Sequence, residues 1–331
     1  MINICIIGAG RIAKIHAKNL STISGVNILY IVDKSIEVAT ELAIKYNAKV
    51  SSLNDALKDP LINAVVILSP THTHADYMEL AAKAGKHIFC EKPIDLDVLK
   101  TKKTLKIIED CGIVCAIGFN RRHDPQFNLL KKSIIEGKVG DVQIVSITSR
   151  DPEPPSLDYV ESSGGIFKDM MIHDLDMARW LLNDEPVEII ATGSCLIDST
   201  FGDYEDFDTA AVTIKTNSGK ICQINNSRKA VYGYDQRIEV FGSKGMLQAN
   251  NNTNTQLSYT NENGVQTEKP QYFFLERYKD SFKNEMLDFV KCIREGGVPL
   301  ANHNDGLAAL ELSEAAIKSI SSGKMQIITK L

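Results

Sequence analysis

Two short stretches carry the residue types that acid–base chemistry on a hydroxyl group requires. The first is Cys90-Glu91-Lys92-Pro93. The second runs from Gly164 to Trp180 and contains Asp169, His173 and Asp176. Asp169 and His173 are four positions apart and Asp176 follows three later, so on a single helix all three share one face. Oxidation of a secondary alcohol needs a base for the hydroxyl proton, and imidazole titrates near neutrality. A neighbouring carboxylate orients such a ring and stabilises its cationic form. Lys92 can hydrogen-bond the same oxygen and favour the developing carbonyl. Each stretch also has a plainer reading: a surface lysine, and a buried His–Asp pair that merely caps a helix.

The hydride acceptor is indicated at the N-terminus. Gly8-Ala9-Gly10-Arg11-Ile12-Ala13 fits G-x-G-x-x-[GA], between a strand-like run and a helical one. The first glycine permits the tight turn, the second lets backbone approach a pyrophosphate, and Ala13 lets helix and strand pack closely. Amides at the helix start, aided by its dipole, would hold the diphosphate. Asp33 lies twenty positions past Ala13, where a carboxylate binds both ribose hydroxyls of NAD and repels the 2′-phosphate of NADP. NAD is therefore expected over NADP, with Lys34 as the residue that could soften the preference. Ser69-Pro70-Thr71-His72-Thr73-His74 follows another strand and belongs to the same crevice, as do Glu91 and Lys92. His72 and His74 lack a third partner for a metal. Lining the nicotinamide or capping the following helix suits them better, and no metal is expected.

The elements that must position these groups are legible as pattern. Strands are expected at 3–8, 27–32, 64–68, 87–90 and 114–118. Helices are expected at 12–21, 36–46, 53–58, 74–84 and 97–111. Unbroken apolar runs such as Ala64–Leu68 belong to a sheet covered on both faces, and β/α alternation implies parallel strands. Residues 1–120 are thus expected to form an N-terminal Rossmann domain, a doubly wound parallel sheet. Residues 121–331 are expected to form an α+β domain with a mostly antiparallel open sheet. Its strands fall at 142–149, 187–194, 209–216, 221–227 and 236–241, and its helices at 174–182, 276–295 and 305–321. The Asn/Thr-rich segment 249–269 is expected to be an exposed loop or ragged hairpin.

Composition narrows the class. The chain has 331 residues, 44% hydrophobic and 24% charged, with a net charge of -5, which offers nothing to a nucleic acid. No apolar stretch is long enough for a membrane span, and the first residues lack the basic start of a signal peptide. Seven scattered cysteines without a C-x-x-C motif suit reduced, buried thiols in a cytoplasmic protein.

Together these stretches resemble the Gfo/Idh/MocA oxidoreductases, and within them the inositol 2-dehydrogenase branch. The likeness runs over nearly the whole chain. It rests on the Gly8 turn, Glu91-Lys92-Pro93, Gly118-Phe119-Asn120-Arg121-Arg122 and the Gly164–Trp180 block. Tyr232-Gly233-Tyr234-Asp235-Gln236-Arg237, Phe241–Gly245 and Phe273–Tyr278 belong to it as well. The resemblance implies that Lys92, Asp169 and His173 form the catalytic set, with a cis Lys–Pro bond at the tripeptide. It implies that Asp176, an arginine of the Arg121–Arg122 pair and a tyrosine of the Tyr232–Tyr234 segment bind substrate hydroxyls. It does not choose within either pair; Arg122 and Tyr234 are carried forward as candidates. His123 departs from the branch, which has an aromatic or aliphatic residue there.

The implied activity is NAD-dependent oxidation of a ring hydroxyl of a cyclic polyol, myo-inositol above others. The implied assembly is a homotetramer paired through the open sheet. Another inositol isomer, a glucose derivative or a nucleotide sugar remains a rival, the last disfavoured by the lack of a basic cluster beyond Arg121–Arg122. A non-catalytic NAD sensor would have no use for Lys92, Asp169 and His173 together.

Overall fold

β-Branched runs without polar alternation build the first sheet. In the computed structural model, which describes residues 1–328, it contains β1 (Ile2–Ile7), β2 (Val26–Val32), β3 (Lys49–Val50), β4 (Ala64–Ile67), β5 (His87–Cys90) and β6 (Cys115–Ile117). The strands are ordered β3-β2-β1-β4-β5-β6 and every pairing is parallel. The crossovers carry α1 (Arg11–Ser21), α2 (Ile36–Tyr46), α3 (Leu53–Lys58), α4 (His74–Lys83) and α5 (Val98–Cys111). Local signals set the helix ends: Ser35, Ser52 and Asp97 accept amide hydrogens at the starts of α2, α3 and α5. The strand order reverses between β1 and β4, so the loops after these strands border the ligand crevice of a doubly wound sheet.

The second sheet is mixed and mostly antiparallel. It contains β7 (Val142–Arg150), β8 (Pro186–Ser194), β9 (Thr209–Thr216), β10 (Ile221–Ser227), β11 (Asp235–Gly242) and β12 (Gly245–Ala249), and it is completed by residues 326–327. Only the β7–β10 pair is parallel among its described pairings. Along β7, Val145, Ile147 and Ser149 are buried while Ser146, Thr148 and Arg150 are half-buried, the alternation of a sheet with one covered face. The helices of this unit are α6 (Pro125–Ile135), α7 (Leu157–Ser163), α8 (Ile172–Leu182) and the single turn α9 (Phe274–Arg277). Residues 249–269 form the ragged hairpin, with β13 (Ser258–Asn261) antiparallel to β14 (Gly264–Thr267) and every residue of both strands exposed.

The chain does not divide at a single point. Residues 1–124 and 280–310 form one unit, and residues 125–279 and 311–328 the other. Of the second domain expected at 121–331, residues 329–331 lie outside the described residues. The segment 280–310 departs from that expectation, and the reason lies in α10 (Lys279–Glu295). Its apolar stripe, Met286, Phe289 and Val290, is buried in one core with Ile4, Ala13, Leu20, Val66 and Phe89. Burial of a side chain of this size contributes roughly 1.5–3 kcal/mol. The backbone of Ile117 also donates to the Ala301 carbonyl. The following helix, α11 (His303–Ser322), begins in the first unit and ends in the second.

A further difference concerns the catalytic stretch. Asp169 and His173 were expected on one regular helix, but Ile166–Met170 is a π-helical turn that feeds α8. The entry explains it. The Ile166 amide donates to Oδ1 of Asp206 at 2.8 Å, so a distant carboxylate caps the turn and replaces a local N-cap.

Candidate active site

In the first unit the glycine turn is built for close approach. Gly8 has φ +95°, and a Cβ there would lie 2.6 Å from the Leu68 carbonyl carbon, so the position requires glycine. A Cβ on Gly10 would meet nothing within 4 Å, which leaves open space over the start of α1. No side chain caps this helix and its first turn carries no acidic residue. Its amide groups, with Gly10, Arg11 and Ile12 at the mouth and Ala13 buried beneath, suit a diphosphate. Asp33 follows β2, where Oδ2 accepts the Ala9 amide hydrogen at 2.7 Å and Oδ1 that of Ser35 at 2.9 Å. The carboxylate thus ties the glycine turn to the end of β2 and is held in place for a diol. These residues fit a dinucleotide.

The crevice loops are tied together by His74. Its Nδ1 lies 2.7 Å from the Pro93 carbonyl and its Nε2 2.7 Å from that of Ser69, so one ring bridges the loops after β4 and β5. Burial holds its pKa below the ordinary value against the pull of those two carbonyls, and a neutral ring donates to only one of them at a time. His74 is thus a strut, while His72 is exposed in the 3₁₀ turn Thr71–Thr73, after the exposed Pro70. The Ser69 hydroxyl pairs with that of Thr73 at 2.6 Å. Lys92–Pro93 is a cis peptide bond, as the resemblance implied. Lys92 is half-buried, and its amide donates to Oε2 of Glu91 at 3.3 Å.

Arg122 is 4% exposed, with Nη1 2.8 Å from the Leu300 carbonyl and Nη2 3.1 Å from Asp305. These contacts make it a buried strut of the first unit. Arg121 is equally buried. His123, the departure from the branch, is buried with Nε2 3.3 Å from Asp288.

In the second unit Asp169 is gripped from two sides. The Tyr159 hydroxyl donates to Oδ1 at 2.9 Å, and Nη1 of Arg228 donates to Oδ2 at 3.0 Å. Arg228 is 2% exposed and also lies 3.7 Å from Asp151. Such a charge-assisted clamp fixes the orientation of Asp169. His173 is half-buried in the first turn of α8, and Asp176 is 2% exposed in the same helix. Between them Asp174 is fully buried and accepts from Nδ2 of Asn226 at 2.9 Å, a structural role. The ring of Tyr234 packs edge-on against Tyr278, with centroids 5.9 Å apart. Tyr232 donates its hydroxyl to Asp235 at 2.6 Å while accepting from Arg150 at 3.0 Å.

Lys92 belongs to the first unit, and Asp169, His173, Asp176 and Tyr234 to the second. Sequence reasoning missed Tyr159, Asp206 and Arg228. No spacing relates them to Asp169, and no sequence signal marks them.

A glycine turn opening a helix beside a ribose-type carboxylate, in a sheet ordered 3-2-1-4-5-6, defines a dinucleotide-binding oxidoreductase. The chain belongs to the GFO/IDH/MocA family. Residues 2–119 match its oxidoreductase NAD-binding Rossmann fold and residues 127–248 its C-terminal domain. It is 45% identical over 322 residues to the inositol 2-dehydrogenase of Rhizobium meliloti (strain 1021), covering 97% of each chain. The solved myo-inositol dehydrogenase of Corynebacterium glutamicum ATCC 13032 superposes with a TM-score of 0.95 at 37% identity, covering 100% of both chains. The Lactobacillus casei scyllo-inositol dehydrogenase solved with NAD(H) and scyllo-inositol gives 0.91 at 28% identity, covering 99% of both. No helix among the described residues is long and apolar enough to cross a membrane.

Proposed function

We propose that this chain is an NAD-dependent dehydrogenase that oxidises a ring hydroxyl of a cyclic polyol, converting myo-inositol to 2-keto-myo-inositol. The observation that carries the reading is the full-length likeness to inositol dehydrogenases, in a chain whose Lys92, Asp169 and His173 are all present. The bound nicotinamide supplies the two-electron oxidant. His173 takes the proton of the substrate hydroxyl. Asp169, oriented by Arg228, stabilises the imidazolium that results. The Lys92 ammonium hydrogen-bonds the substrate oxygen as it becomes a carbonyl. Asp176 and Tyr234 bind the remaining hydroxyls, and with them the stereochemistry is read. Arg122 acts from behind, through the segment it braces.

The preference for NAD over NADP is assigned to Asp33, whose two amide contacts aim a negative charge at the ribose. The exposed Lys34 is the only neighbour in the Asp33–Ser35 segment that could offset it. The enzyme works in the cytoplasm as a homotetramer paired through the open face of the second sheet.

The test is initial rates of NADH formation with myo-inositol, scyllo-inositol, D-chiro-inositol and glucose, each repeated with NADP. Turnover of myo-inositol with NAD is expected, and His173→Ala and Lys92→Ala should each lower it by about 10²–10⁴. Near-full turnover in His173→Ala would remove the base. Silence on every inositol would remove the substrate.

A further inference from the structure

Behind the crevice lies a buried trio of titratable groups that no step above uses. His16 of α1, Glu91 after β5 and Glu285 of α10 offer ligand-type atoms all within 4.8 Å of one another. His16 is fully buried, Glu285 is 2% exposed, and the Glu91 side chain is 15% exposed. Nε2 of His16 is 3.1 Å from Oε1 of Glu91 and 3.8 Å from Oε1 of Glu285. Glu91 thus has one oxygen on the imidazole and the other on the Lys92 amide. Gly118 makes room for it: a Cβ there would lie 2.9 Å from Oε2 of Glu91.

The hydrogen-bond inventory constrains where the protons sit. Nδ1 of His16 and both carboxyl oxygens of Glu285 have no partner. A buried N–H without an acceptor costs more than an empty lone pair, so the imidazole proton belongs on Nε2, where Glu91 accepts it. Two carboxylates this close in an apolar pocket do not both ionise. Burial first, and then the charge of Glu91, push the Glu285 carboxyl well above the ordinary carboxylate range. The ring of His16 is held by Phe89 at 5.3 Å and, edge-on, by Phe282 at 5.7 Å. The His16 ring is therefore fixed by packing.

We propose that His16 and Glu285 are positioning residues for Lys92: the imidazole, backed by the Glu285 carboxyl 3.8 Å away, fixes the Glu91 carboxylate, and Glu91 fixes the backbone from which Lys92 reaches. This inference rests on reading Lys92 as a catalytic group. It assigns a use to the return of α10 to the first unit, since that helix supplies both Glu285 and Phe282.

Three variants test it. His16→Phe keeps the aromatic packing and removes the donor, Glu285→Leu removes the polar group behind the imidazole, and Glu285→Gln keeps a neutral polar group of the same shape. Small misplacements of a reacting group cost up to about a hundredfold. The expected result is a fall in kcat of about tenfold or more for His16→Phe and Glu285→Leu, unchanged KM for NAD, and rescue by Glu285→Gln. A kcat within twofold of wild type in the first two, or a loss confined to KM, would overturn the proposal. So would Glu285→Gln failing as badly as Glu285→Leu, or a stoichiometric divalent metal in the purified protein.

A second readout needs no turnover. The ¹³C signal of reductively methylated Lys92, assigned by its absence in Lys92→Arg, should shift in His16→Phe and Glu285→Leu and return in Glu285→Gln. If the wild type oxidises no inositol, the function proposed above fails while this signal still decides the positioning role. An unmoved signal overturns that role.

Discussion

Nη1 of Arg228 lies 3.0 Å from Oδ2 of Asp169, and the arginine is 2% exposed. A buried ion pair of this kind is costly to break, because the partner left behind is an uncompensated charge. Arg228→Met should therefore destabilise the fold by about 3–5 kcal/mol, measured by urea unfolding. It should also move the catalytic pH profile. Without the guanidinium, the full charge of Asp169 acts on His173, and the acid limb of kcat/KM shifts to higher pH. Loss of stability with the limb unmoved would mean that Asp169 does not act on the base.

Asp33 holds the Ala9 and Ser35 amides while it waits for a ribose. Asp33→Asn keeps an acceptor but loses the charge. Hydrogen bonds to charged groups are worth about 1.5–3 kcal/mol, so kcat/KM for NAD should fall by roughly 10–150-fold, as initial rates would show. The NAD/NADP ratio should fall with it, because the repulsion of a 2′-phosphate is gone. An unchanged ratio would assign discrimination to another residue.

Gly8 sits at φ +95° against the Leu68 carbonyl. Gly8→Ala adds both backbone strain, of order 1–3 kcal/mol, and a clash with backbone that cannot move aside. A lowered thermal midpoint and a raised KM for NAD are expected together. A variant with wild-type values of both would show that the turn relaxes freely.

Glu285 makes stability depend on pH in an unusual direction. Its folded pKa is raised, so above the ordinary value of 4.5 the folded chain keeps a proton that the unfolded chain has released. Stability then falls as pH climbs toward the raised value, by up to about 1.4 kcal/mol per unit. Glu285→Gln abolishes that loss, and its gain over wild type should be larger at pH 8 than at pH 5. Urea midpoints at the two pH values measure it; equal gains would mean an ionised Glu285 in the native state.

Five strands of the first sheet were legible to within a residue or two, because buried parallel strands have no polar alternation; β3, two exposed residues at Lys49–Val50, was not. The catalytic stretch was legible in composition and not in shape. The π turn depends on Asp206, thirty-seven residues beyond Asp169 in the chain. Arg228, Tyr159, His16 and Glu285 were invisible for the same reason: their partners are set by tertiary contact and obey no period. The helix now seen at Lys279–Glu295 was expected at 276–295, but an amphipathic pattern says only that one face is covered, never by which sheet. Arg122, carried forward as a substrate ligand, is buried against the Leu300 carbonyl and Asp305, contacts that no sequence period announces.

The return of α10 to the first sheet also orders events during synthesis. Residues 1–124 leave the ribosome with the surface meant for Met286, Phe289 and Val290 still bare. At about 5–20 residues per second, roughly 10–35 s pass before the covering helix has been translated. For that interval the nascent N-terminal sheet is a client for holding chaperones, and a stop codon before position 280 would leave it one permanently.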